Sequence, residues 1–174
     1  MKRRSTAIAP AVVFYLSAAT AWTAPLPVTW ADLVPPAVSA RAAQAPTGVV
    51  THEQGAEMAP RDRFGMAPVR GDLDGLEVSL IGYVVPLALD GIRLKDFLIA
   101  PYVGACVHVP PPPSNQLVLT HFRAGIEMSM RLFTDPVVVT GRLSTTAVET
   151  DLGEQGSYTV GYQLDAARVT FASP

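Results

Sequence analysis

One thiol lies two residues from an imidazole in the segment PYVGACVHVPPPPSNQ, residues 101–116. Cys106 is the chain's single cysteine and His108 is one of its three histidines. On an extended strand such residues share a face, with α-carbons about 6–7 Å apart. A thiolate and an imidazole at that spacing can converge on a borderline or soft ion such as zinc or copper. The ion needs a third ligand. His121 is the nearest in sequence, and it shares the face if it pairs opposite Cys106 but not if it pairs opposite Ala105. His52 with Glu53, and the Glu127, Met128 and Met130 group, are weaker candidates. The competing reading is packing, with the cysteine as a small buried hydrophobe and the histidine as a hydrogen-bonded neighbour. A Cys–His nucleophile has no orienting partner in the sequence. The expectation is therefore a chain with no cofactor, with zinc on Cys106, His108 and His121 as the alternative.

Pro110, Pro111, Pro112 and Pro113 follow the pair. Prolines cannot donate to a strand ladder, so pairing must stop at Val109. Four in succession favour a stiff polyproline segment. Ser114-Asn115 can turn the chain back into Gln116–Phe122. Structurally the block is a rigid connection, and functionally it is a ridge suited to an aromatic groove on a partner.

The amino terminus sets the compartment. Lys2, Arg3 and Arg4 precede a mostly apolar run, Ile8–Ala19, and Ala19-Thr20-Ala21 fits a small-x-small cleavage site. This is the layout of a secretory signal peptide over residues 1–21. The run is too short for a membrane span and is interrupted by Pro10. Cleavage removes 3 of the 13 basic and none of the 15 acidic side chains, leaving 10 against 15 and a net charge of −5. That balance argues against nucleic acid and against anionic lipid as partners. The expected location is the periplasm, with no membrane span after cleavage.

The elements that must position these residues are strands. Residues 22–70 read as an irregular arm and linker, with one local signal, TWADLVPP at 29–36. Thr29 can cap a single turn there that sets Trp30 and Leu33 on one face as an anchor. From Gly71 the pattern changes, and 71–174 reads as the folded domain. LEVSLIGYVVPL at 76–87 alternates as a strand with a bend at Gly82 and an end at Pro86. Asp90-Gly91 signals a hairpin. KDFLIAPYV and GACVHVP read as one bent strand or two short ones, broken at Pro101 and Gly104, and QLVLTHF, DPVVVTGRL and YTVGYQLDAARVTF supply further strands. Five or six strands without a long helix make the chain all-β, a small antiparallel OB-like barrel, with a β-sandwich as the alternative. No GxGxxG, P-loop or GxSxG motif is present, and no catalytic constellation is evident.

GYVVPL, FLIAPYVGACVHVPPPPSNQ, PVVVTGRL and YQLDAARV together resemble the bacterial exported family catalogued as domain-of-unknown-function family 3299. VTWADLVP at 28–35 resembles its opening segment, so the likeness spans about residues 28–171. The resemblance implies an OB-like barrel and a periplasmic accessory protein, often encoded beside ABC-type transporter components, with a link to zinc supply in some members. It supplies no catalytic residues. The positions matching its motif are Tyr102, Gly104, Cys106, His108, Pro110–Pro113, Asn115 and Gln116, while His121 lies outside it. Tyr102, the four prolines, Asn115 and Gln116 are accordingly the expected partner-binding residues. The expected function is non-enzymatic, docking on an ABC-type transporter or another envelope complex.

Overall fold

The computed structural model describes residues 24–43, 66–105, 112–152 and 156–172. The strands are β1 (Leu26–Val28), β2 (Glu77–Asp90), β3 (Arg93–Ala100), β4 (Val118–Glu127), β5 (Val137–Ser144), β6 (Val148–Asp151), β7 (Ser157–Val160) and β8 (Tyr162–Phe171). A two-turn helix, α1 (Pro36–Ala43), follows the anchor turn. The signal-peptide expectation for 1–21 lies outside the described residues. No helix among those described is long and apolar enough to cross a membrane.

β2 organises the barrel because its length lets it pair with both β5 and β3. Its residues 77–82 pair antiparallel with β5, and residues 83–90 pair antiparallel with β3. The exchange of partners falls at Gly82, where a Cβ would sit 2.3 Å from Ile99 Cγ2 and 2.7 Å from the Trp30 ring. The bend expected at Gly82 is thus also a close approach. β4 then pairs with β3, β8 with β4, and β5 with β8, closing the order β2-β3-β4-β8-β5.

The all-β OB-like expectation holds, but the barrel is not uniformly antiparallel. β4 and β8 run parallel, as do β1 and β2. Five strands in a ring cannot alternate direction at every neighbour, so one parallel pair is a geometric necessity. Pro86 does not end β2 as expected, because it pairs opposite Phe97 and the strand continues to Asp90. Beyond Gly82 no described strand pairs with the β5 side of β2, and an edge accommodates a residue without an N–H. YTVGYQLDAARVTF is two strands, parted at Gly161, whose Cβ would lie 2.9 Å from Val69 and 3.0 Å from the Ser114 carbonyl.

Inward-facing Val78, Leu80, Leu94, Phe97, Val139 and Leu164 are fully buried. Each such side chain contributes about 1.5–3 kcal/mol relative to exposure. Thr120 lies among them with a hydroxyl that has no hydrogen-bond partner among the described residues. A second cluster lies on the outer face, where Val85, Leu98 and Leu119 form one cross-strand row. Val148, Leu152 and Tyr158 of the β6–β7 hairpin region pack on it. That hairpin is why the outer face carries large apolar residues at all.

Candidate functional site

Two places concentrate polar side chains. The first is the barrel end where the β3–β4 connection, the anchor turn and residues 66–70 meet. Trp30 Nε1 donates to the Ile81 carbonyl at 2.8 Å, and Leu33 is fully buried. The anchor expected from Thr29 forms as a 3-10 turn, Ala31–Leu33. Thr29 donates to Asp32 through both its backbone N–H, at 2.8 Å, and its hydroxyl, at 2.6 Å. The hydroxyl bond first, then the backbone bond, holds the Asp32 carboxyl below the usual range.

Tyr162 joins the pieces. Its hydroxyl donates to the Leu33 carbonyl at 2.7 Å and accepts from the Arg70 N–H at 2.7 Å. Burial pushes the phenol pKa up. Arg70 in turn pairs with Asp72, lowering that carboxyl, and donates to the Asp32 carbonyl at 3.2 Å.

The residues that follow the prolines are bound into the same end. Ser114–Gln116 form a 3-10 turn. Ser114 Oγ accepts from the Ala67 N–H at 2.7 Å, and Asn115 Nδ2 donates to the Pro68 carbonyl at 2.9 Å. Gln116 Nε2 donates to the Trp30 carbonyl at 2.8 Å. Tyr158 donates to the Pro112 carbonyl at 2.7 Å. Pro112 is buried and Pro113 exposed. Asn115 and Gln116, expected to face a partner, therefore use their amide groups on this chain's own arm. Tyr102 and Val103 are 40% and 52% exposed on the same connection, beside Gly104 with its φ of 77°. Pro110, Pro111, Cys106, His108, His52 and Glu53 lie outside the described residues.

The second place is the outer face of the barrel, and sequence reasoning reached only one of its members. Register sets Asp96 opposite His121, His121 opposite Asp165, Asp165 opposite Arg142 and Arg142 opposite Glu77. Five ionisable residues thus cross five strands in one row. His121 Nδ1 lies 2.6 Å from Asp96 Oδ1, which directs Nε2 away from Asp96. Arg142 Nε is 3.9 Å from Glu77. The expected grouping of His121 with Cys106 and His108 is not observable, and the described residues contain no group of three side chains able to hold a metal. Met128 packs on the core while Met130 stands 79% exposed, so those two sulfurs do not share a face.

A family profile described as "Protein of unknown function (DUF3299)" matches residues 30–171. The chain belongs to the DUF3299 family. Its fold is similar to the crystal structure of a DUF3299 family protein from Pseudomonas aeruginosa PAO1, with a TM-score of 0.64 and 31% identity. That likeness covers 87% of this chain and 99% of the other. No curated protein matches the chain. The matched region begins at Trp30, so the anchor turn belongs to the DUF3299 unit together with the barrel.

Proposed function

We propose that this DUF3299 protein is a non-enzymatic periplasmic docking module, exported through residues 1–21, that binds an ABC-type transporter component or another envelope complex. One observation carries the reading. The β3–β4 connection is fastened at its far side by Ser114, Asn115, Gln116 and Tyr158, while Tyr102 and Val103 on its near side are partly exposed. A connection anchored at one end and exposing an aromatic and a β-branched residue suits association, because the anchored part has no ordering cost left to meet. The test is affinity capture from envelope extracts with the native chain and a Tyr102→Ser/Val103→Ser variant. A transporter component held by the native chain and released by the variant supports docking. The same protein held by both, or no envelope protein held by either, refutes it.

A further inference from the structure

The row on the outer face borders an open trough with two compartments. One, of about 440 Å³, is lined by Asp74, His121, Arg142, Ser144, Gln163 and Asp165 among others. The other, of about 420 Å³, shares Arg142 and Asp165 and adds Phe122, Ala124, Ala166 and Ala167. The trough exists because the strands part there. His121↔Asp165 is the last pair of the parallel β4–β8 ladder. Immediately beyond it, β4 bulges so that residues 122–125 face Lys95, and β8 carries an extra residue opposite Thr140 and Gly141. Bulges of this kind re-aim side chains and end pairing.

The lining is preorganised. Asp96 fixes the His121 ring, the Thr145 N–H at 2.8 Å fixes Asp74, and Gln163 Nε2 donates to the Thr146 carbonyl at 2.9 Å. That last bond leaves Gln163 Oε1 as an acceptor. The charges nearly cancel, with Asp74, Asp165 and Glu77 facing Arg142 and Arg123. A phosphate, a polyamine or a nucleic-acid strand would meet repulsion as well as attraction there. The trough instead offers planar carboxylate, guanidinium, carboxamide and imidazole ends about 4.8 Å apart from strand to strand. Beside them lies a half-buried aromatic ring, Phe122.

We propose that this trough binds a neutral saccharide of at least two residues. The planar polar groups would take pairs of neighbouring hydroxyls, and Phe122 with the alanines would take the C–H face of the adjoining ring. Each compartment falls in the size range of small-molecule sites. This site stands apart from the docking connection, and neither proposal depends on the other.

The test is an NMR titration of the ¹⁵N-labelled full chain with maltose, cellobiose and N,N′-diacetylchitobiose. At least one should give saturable shifts at the amides of His121, Arg142, Gln163 and Asp165, with a Kd on the order of millimolar. Arg142→Ala and Asp165→Ala should each weaken it by about tenfold, since each removes a hydrogen-bonding end. The remaining amide spectrum of both exposed-site variants should be unchanged. No saturable shift with any of the three sugars, or shifts that persist in both variants, would overturn the proposal. Tighter binding of inorganic phosphate or zinc chloride at the same amides would overturn it too, by showing an ionic site.

Discussion

The mounted end of the barrel and its outer charged row differ in what their polar side chains are doing. At the mounted end, Ser114, Asn115, Gln116, Tyr158 and Tyr162 each bond a backbone group of this chain. Along the row, Arg142 reaches no closer than 3.9 Å to Glu77, and His121 is tied through Nδ1 alone. The described residues that follow the first prolines, 112–116, are therefore a fastening, and hydrogen-bonding capacity lies where the sequence is unremarkable. An unusual motif can mark a difficult piece of construction as readily as a site.

The largest expected effect of breaking this contrast is at the anchor. Trp30→Ala removes the ring that fills the space above Gly82 and the bond to Ile81. It should destabilise the fold by about 3 kcal/mol, read from urea unfolding. A loss below about 1 kcal/mol would mean that the arm is not part of the cooperative unit.

Next come the buried bonds. Tyr162→Phe leaves the Leu33 carbonyl and the Arg70 N–H without their partner, and Asn115→Ala frees the Pro68 carbonyl. Each should reduce stability by about 1–3 kcal/mol, or several degrees in Tm. Tyr162 also sets an alkaline limit. Its folded pKa lies above the ordinary phenol value, so the unfolded chain loses that proton first. Its contribution is complete below the unfolded pKa of about 10 and is lost as pH rises through the folded value. Tyr162→Phe should flatten this part of the stability–pH profile, and an unchanged alkaline slope would assign it to other groups.

How much of this was legible follows from where the signals lie. β2 and its inward Val78, Leu80 and Val84 were readable because alternation over one strand is a local pattern. Trp30 and Leu33 were readable as one face of a turn for the same reason. The Asp96–His121–Asp165–Arg142 row was not. It depends on register across four strands, and the bulges beside it shift that register by amounts no single segment encodes. The covering role of β6 and β7 was hidden because VETD and SYTV are short and half-polar. Asn115 and Gln116 looked outward-facing in sequence because their acceptors, on Pro68 and Trp30, are 47 and 86 residues away.

The smallest effects sharpen the contrast from its other side. His121→Ala, Arg142→Gln and Asp165→Asn should each change stability by no more than about 0.5 kcal/mol, as expected for exposed groups outside the core. Thr120→Val removes a buried hydroxyl that has no partner among the described residues and nearly preserves volume. It should be neutral or stabilising by up to about 1 kcal/mol. A clear destabilisation there would mean that the hydroxyl has a partner, such as a buried water.

Under the proposed docking function, folding and docking are carried by different residues of one connection. The direct measurement is thermal unfolding paired with envelope-protein capture, on Asn115→Ala and on Tyr102→Ser/Val103→Ser. Asn115→Ala should lower Tm by several degrees and, below its transition, still capture the native chain's partner. The double variant should keep its Tm within a few degrees and lose that partner. Capture lost in Asn115→Ala at unchanged Tm, with capture retained by the double variant, would contradict it.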